Sequence, residues 1–328
     1  MNNIIKDEKI LIIGGSGSLG HKLIDRYLKN NIIYVYSRDE AKHWKMSIDY
    51  EQDHNLNFII GDIRDTMKVQ QSLLRYKPTI IILAAALKHI DRCEYETNEC
   101  IATNILGTQN VLNTVEVFRD VLPVKCVCFI STDKACSPVN AYGMAKAISE
   151  CLMIEKAKMI PYIKFVTVRY GNVLNSRGSI IPTLHEIGKN SNYNHYTITD
   201  KRMTRFVMTL EQSVDLIEHA ITKADSGDIV IPQLISCNIW DLMELFSDKY
   251  DKPIIEGKLR PGEKMLESLI NETQSQRLQL DKDGYMYIKP SYNLKDINDS
   301  TEIRDYNSKI NPLNKEELKQ YLTNLNLL

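Results

Sequence analysis

Ser131-Thr-Asp-Lys-Ala-Cys-Ser-Pro-Val-Asn-Ala-Tyr-Gly-Met-Ala-Lys146 is the stretch that decides the fold. An apolar run, Cys126 to Ile130, precedes it and reads as a buried strand. Pro138 and Asn140 punctuate a loop, and from Ala141 to Met159 the pattern turns helical. Thr132, Asp133 and Lys134 therefore fall at the carboxyl end of a strand. Tyr142 and Lys146 are four apart on the helix that follows, hence on one face. Ligands of open α/β sheets bind at the carboxyl ends of the strands. One segment thus brings a hydroxyl, a carboxyl, two amines and a phenol towards one crevice.

Outward from this stretch the same alternation repeats. Lys9 to Ile13, Ile32 to Tyr36, Phe58 to Ile60, Thr79 to Leu83 and Phe165 to Val168 read as short buried strands. Helical patterns lie between them, including Thr66 to Tyr76 and Thr97 to Phe118. The expectation is an α/β fold: a Rossmann-type, doubly wound parallel sheet with a smaller C-terminal cap. Residues 1–172 would form the dinucleotide-binding domain, with a returning segment near 205–235. Residues 173–204 and 236–280 would form the cap. The polar residues 281–328 would pack on the domain as a tail, with one helix from Asn314 to Leu325.

Composition narrows the function. The 328 residues carry a net charge of −1, which excludes a broadly basic nucleic-acid binder. No apolar run approaches the roughly 18 residues of a membrane span. The N-terminus has no signal-peptide pattern, so a cytoplasmic protein is expected. The seven cysteines lack metal-ligand spacing and read as small buried hydrophobes in a reducing compartment; no metal site is expected.

Gly14, Gly17 and Gly20 form G-x-x-G-x-x-G between the first strand and a helix. Such a loop lets the backbone, with Ser16, Ser18 and Leu19, approach a pyrophosphate at a helix N-terminus. The end of the second strand reads Ser37-Arg38-Asp39-Glu40-Ala41-Lys42. A hydroxyl, a guanidinium and an amine suit a 2′-phosphate, so NADP is expected over NAD, with Asp39 the competing signal. Asp62 and Ile63 would flank the adenine. Ala84 and Ala86 would let the cofactor lie close, although taken alone the alanines are better explained by helix–sheet packing.

Tyr-x-x-x-Lys recurs by chance: Tyr285 and Lys289 match it too, far from any cofactor loop, and receive no role. At Tyr142 and Lys146 the pairing has a purpose, since an adjacent ammonium lowers the phenol pKa and makes it a base. Thr132 would hydrogen-bond the same substrate oxygen.

These residues resemble the extended short-chain dehydrogenase/reductases, and most closely the inverting UDP-N-acetylglucosamine 4,6-dehydratases. The matching stretches include Gly14 to Gly20, Gly61-Asp-Ile-Arg-Asp65, Ala84-Ala-Ala-Leu-Lys-His89, Thr103-Asn-Ile-Leu-Gly-Thr108, Ser131-Thr-Asp-Lys-Ala135, Arg169-Tyr-Gly-Asn-Val173, Ser176-Arg-Gly-Ser179, Met203-Thr-Arg-Phe206 and Arg260-Pro-Gly-Glu-Lys264. The resemblance implies that Asp133 and Lys134 are the acid and base of a dehydration, where retaining relatives carry Asp-Glu. Lys134 would be made neutral by a neighbouring cation and partial burial, and Asp133 protonated by burial. The resemblance further implies Lys88 and Val173 as cofactor contacts, alongside Tyr142 and Lys146. Asn172, Arg177, Gly178, Ser179, Ile180, Thr204, Arg260 and Glu263 would hold a UDP-sugar. A homo-oligomer is implied as well. UDP-glucose stands as an alternative substrate. An epimerase, a ketoreductase or a non-catalytic NADP-binding protein stands as an alternative function.

Overall fold

The computed structural model describes residues 5–258, 260–293 and 305–328. Its spine is a nine-stranded sheet built from β1 (Lys9–Ile13), β2 (Ile32–Ser37), β3 (Leu56–Ile60), β4 (Ile80–Leu83), β5 (Cys126–Ile130), β6 (Lys164–Val168), β7 (Ile229–Pro232), β8 (Leu278–Leu280) and β9 (Tyr285–Ile288). Across the sheet the order is β8-β9-β7-β6-β5-β4-β1-β2-β3. Neighbours from β3 to β7 are parallel, whereas β9 runs antiparallel to both β7 and β8. The expected Rossmann-type sheet is present.

Alternating side chains explain its stability. Ile10 and Ile12 of β1 enter the core on one face with Cys128 and Val166; Leu11 and Ile13 enter the other with Val127 and Phe129. Burying each large aliphatic side chain contributes about 1.5–3 kcal/mol. Chain order reverses between β2 and β4 on either side of β1, which opens a crevice at their carboxyl ends.

A third core gathers helices Ile180–Lys189, Ile239–Tyr250 and Lys315–Asn324 through Leu184, Phe246, Leu318 and Leu322. Beside it lies a four-stranded sheet that includes Thr204–Met208 and Ile235–Asn238.

Three features depart from the sequence expectation. The single helix expected over Thr97 to Phe118 is divided by a π-helical stretch, Ile101–Leu106. That widened turn frees the Asn104 carbonyl to accept from Thr108 (2.8 Å) and Ser149 (2.9 Å), while the Asn104 amide pins the backbone of Leu87 after β4. The polar stretch expected as a tail holds β9, and Lys289 at its end lies 2.9 Å from both Asp225 and Asp228. All seven cysteines are free, but Cys151 is exposed, unlike the other six. Among the described residues, no helix is long and apolar enough to cross a membrane.

Arg169, just after β6, is wholly buried and ties the layers together. Its Nε lies 3.0 Å from Glu150 on the long helix Ala141–Met159. Its Nη1 donates to Leu269 O (2.7 Å) and to Gln274 (2.8 Å). Arg169→Met strands the Glu150 carboxylate in the interior. Urea denaturation of this variant is expected to show a loss of about 3–5 kcal/mol.

Candidate active site

The crevice at the carboxyl ends of β1, β2, β4 and β5 encloses about 1290 Å³. At its floor the glycine loop leaves β1. Gly14 has φ +87°, and a Cβ there would lie 2.6 Å from the backbone of Ala85. Gly17 begins helix Ser18–Tyr27 with no capping side chain, so the first amides are open to an anion. Ser16, Ser18 and Leu19 line the same wall, as do Ala84, Ala86, Lys88, Asp62 and Ile63. Gly20 does not; it faces Gly15 in the helix–strand contact. The donor set fits a dinucleotide.

At the far end of that wall Ser37, Arg38, Asp39 and Lys42 all reach the crevice. Asp39 is spent locally. Its carboxylate accepts from the Lys42 amide (3.0 Å) as the N-cap of the next helix and pairs with the Lys42 ammonium. Arg38 is 58% exposed and lies only loosely against Asp62, at 3.5 Å. His43, which the sequence reading passed over, sits 2.7 Å from the Ser37 hydroxyl.

The opposite wall comes from the loop and helix after β6. Asn172, Val173, Arg177, Gly178, Ser179 and Ile180 line it, with Arg260 and Glu263 above. The Arg177 amide donates to Ser18 (3.0 Å) and Lys88 donates to the Arg177 carbonyl (2.7 Å), which joins this wall to the glycine loop. Arg260 lies 3.0 Å from Glu263. Thr204 is not brought here. It is buried, 2.8 Å from the Ser308 hydroxyl.

Between the walls stand Thr132, Lys134, Tyr142 and Lys146. Gly143 allows this convergence, because a Cβ there would lie 2.2 Å from the Lys134 carbonyl. Asp133 lies behind them, fully buried and outside the crevice lining. Its Oδ1 accepts from Thr132 (2.9 Å) and Lys134 (2.9 Å), and its Oδ2 has no hydrogen-bond partner among the described residues. Lys134 Nζ also lies 3.4 Å from Asn172 Oδ1 and 3.7 Å from Glu267 Oε1.

The charges differ from the sequence expectation in two ways. No cation lowers Lys134 enough to leave it neutral. Burial works against its charge, but Asp133 and Glu267 outweigh burial and raise its pKa. Nor does Lys146 hold the phenol down. Burial pushes Tyr142 up to about 12, opposed by the Lys134 charge and the Thr132 hydroxyl. Lys146 itself is pushed down to about 8 by burial, against the pull of Glu150. It donates to the Ile130 carbonyl at 2.7 Å and lies 4.5 Å from the Phe129 ring.

Glu267 is a second residue that sequence reasoning missed. It follows the Arg260 to Lys264 motif, and its one signal is a carboxylate set between Leu266 and Leu269 at the start of strand Ser268–Ile270.

Residues 10–290 match the family described as polysaccharide biosynthesis protein. An inverting UDP-N-acetylglucosamine 4,6-dehydratase of Campylobacter jejuni is 37% identical over 295 residues, 88% of this chain and 85% of that protein. A UDP-glucose 4-epimerase of Rickettsia bellii is 35% identical over 340 residues, 97% of this chain and 96% of that one. A protein of Methanocaldococcus jannaschii named an uncharacterized membrane protein is 36% identical over 343 residues, 100% of this chain and 99% of that one. Among solved structures, Pen from Bacillus thuringiensis superposes with a TM-score of 0.87 at 31% identity, covering 99% of both chains.

Because Lys134 opposes the rise of the Tyr142 pKa, Lys134→Met should raise that pKa further. Carbon-13 NMR of labelled tyrosine, with Tyr142→Phe to assign the resonance, reads the shift.

Proposed function

This chain belongs to the polysaccharide biosynthesis protein family and is an enzyme of the nucleotide-sugar dehydratase/epimerase group of short-chain dehydrogenase/reductases; from that premise we propose that it is an NADP-dependent, 5-inverting UDP-N-acetylglucosamine 4,6-dehydratase. The observation that carries the reading is the Lys134 ammonium, which faces the Tyr142 crevice while hydrogen-bonded to a buried Asp133. An epimerase at C4 needs one base at the 4-hydroxyl. A second acid–base pair beside that base serves a reaction that also breaks bonds at C5 and C6.

A nicotinamide dinucleotide along the glycine loop supplies the hydride acceptor for C4 and the hydride donor for C6. Tyr142 takes the proton of the 4-hydroxyl, and Thr132 hydrogen-bonds the same oxygen. The resulting ketone acidifies the C5 hydrogen. The Lys134 ammonium first passes a proton to the Asp133 carboxylate, 2.9 Å away, leaving an amine and a carboxylic acid, and the amine removes the C5 proton. Asp133 gives the proton with which the 6-hydroxyl leaves as water. Since its carboxyl does not line the crevice, the proton passes through the Thr132 hydroxyl, 2.9 Å away. C5 then regains a proton on the opposite face, which inverts it. The product is a UDP-2-acetamido-2,6-dideoxy-L-hexos-4-ulose, and no net cofactor is consumed.

Arg177 and Arg260 suit the diphosphate, Glu263 a ribose hydroxyl, and Asn172, Gly178, Ser179 and Ile180 the sugar wall. Thr204 has no part, as its hydroxyl is committed to Ser308. NADP is favoured over NAD because Asp39 is tied up as a helix cap while Arg38 is left open beside Ser37. The same reading has the enzyme act in the cytoplasm as a homo-oligomer.

Proton NMR of UDP-N-acetylglucosamine incubated with the enzyme and catalytic NADP⁺ in deuterated water should show a new C6 methyl, deuterium at C5 and an L-configured ring. Lys134→Ala should abolish the methyl. A methyl on a D-configured ring refutes inversion, a methyl from UDP-glucose alone moves the substrate, and 4-epimerisation without a methyl favours the epimerase reading.

Arg38→Ala should raise the KM for NADP⁺ roughly 10- to 100-fold, matching the loss of one charged hydrogen-bonding partner. The KM for NAD⁺ should change little. Equal loss for both cofactors removes the 2′-phosphate assignment.

A further inference from the structure

Glu267 belongs to none of the motifs that mark the crevice, yet it is 1% exposed and aimed at its central base. Oε1 stands 3.7 Å from Lys134 Nζ and Oε2 stands 3.8 Å from Lys264 Nζ. Both distances exceed a hydrogen bond, and Oε2 has no hydrogen-bond partner among the described residues. The backbone holds the side chain there: the Glu267 amide donates to Ser308 Oγ (3.1 Å), and the Ser308 amide donates to the Glu267 carbonyl (2.8 Å). A carboxylate placed this way acts on Lys134 through its charge.

The charges around the pair are few and can be named. Asp133 binds Lys134 directly, and Arg169 lies behind Asp133. Tyr142 faces Lys134 across the crevice. Arg205 and Lys264 approach Glu267 from the other side, but both spend donors on carbonyls: Arg205 on Thr204, Met265 and Lys264, and Lys264 on Cys136. Burial raises the Glu267 carboxyl from its usual range and Asp133 adds to this, while Lys134, Arg205 and Lys264 oppose it.

We propose that Glu267 is a positioning residue for Lys134: its carboxylate stabilises the ammonium that forms as Lys134 takes the C5 proton, and so makes Lys134 a stronger base. The inference rests on the dehydratase reading and names a residue that reading does not require. The step is a proton transfer only. The C5–H bond breaks, its electron pair stays with the carbon next to the ketone, and the proton ends on Nζ. An amine with higher proton affinity takes that proton more readily, at the cost of being less often free at neutral pH.

This trade gives a test that a structural role would not pass. Rates of 4-keto product formation and of deuterium entry at C5 are measured from pH 6 to 10, with UDP-N-acetylglucosamine and NADP⁺ saturating. In Glu267→Gln the ammonium loses one stabilising charge. The rising limb of kcat should move about one pH unit towards acid. Within this pH range, which lies below the raised Lys134 pKa, the shift reads as a severalfold higher kcat at each pH on the limb, short of tenfold because the freed amine is a weaker base. Lys264→Met removes an opposing cation and should move the limb towards alkali, and Glu267→Asp should shift it less than the amide does.

A limb that stays at the wild-type pH in both Glu267→Gln and Lys264→Met overturns the proposal, as does an alkaline shift in Glu267→Gln. If the amide variant does not fold, a stationary limb in Lys264→Met overturns it alone. A wild-type enzyme that makes 4-keto product and exchanges C5 while the variants leave the limb unmoved refutes Glu267 and spares the dehydratase reading. A wild-type enzyme with no C5 exchange at any pH refutes both.

Discussion

A lysine buried as deeply as Lys134 can be kept charged only if carboxylates stand beside it, and that constraint shapes the centre of this molecule. Removing an ammonium from water costs several kcal/mol, which one hydrogen-bonded carboxylate and a second charge nearby can offset. Asp133 comes from the turn after β5 and Glu267 from 134 positions later in the chain. The fold must therefore lay the start of strand Ser268–Ile270 against the end of the central sheet. The contacts between that strand and the Asp133–Ala135 turn do this, as do Arg169, which reaches the Leu269 carbonyl, and Lys264, which reaches the Cys136 carbonyl.

How much of this was legible follows from what each signal depends on. The central strands are buried on both faces, so they stand out as unbroken apolar runs such as Ile10 to Ile13 and Ile80 to Leu83. The glycine loop and the Thr132 to Lys146 segment are local, with spacing that follows from a strand, a turn and a helix. Strands of the smaller sheet are short, and β9 lies in a polar stretch, so neither has a periodicity that separates it from a loop. The π-helical stretch leaves no local signal, and Ser149, one partner of the Asn104 carbonyl that it frees, lies 45 residues away.

Side-chain roles were legible where local sequence fixes them and misread where distant segments decide. Thr204 sits in a family-like motif, but Ser308, 104 residues away, holds its hydroxyl. Asp133 adjoins the crevice in sequence but turns its carboxylate behind Thr132 and Lys134. The expectation of a neutral Lys134 failed for the same reason. A neighbouring cation was expected; the neighbours that raise its pKa are carboxylates, Asp133 first and then the distant Glu267.

The two lysines of the crevice are tuned in opposite directions, and the buried Arg169–Glu150 pair is what permits it. Glu150 lies one helical turn beyond Lys146 and pulls it towards the charged form. Yet both Glu150 oxygens are already engaged, Oε1 by Ser131 and Arg169 and Oε2 by Arg169. A carboxylate so occupied has little left to offer Lys146. Its amine is left with a carbonyl and an aromatic face, and burial prevails. Lys134 meets the opposite situation, because Asp133 binds it directly and Glu267 has an oxygen with no hydrogen-bond partner among the described residues, while its two nearby cations spend donors on backbone carbonyls. Which lysine has its pKa raised and which lowered thus depends on which carboxylate is already occupied, and Glu150 is occupied by Arg169, outside the crevice lining, and by Ser131, at its edge.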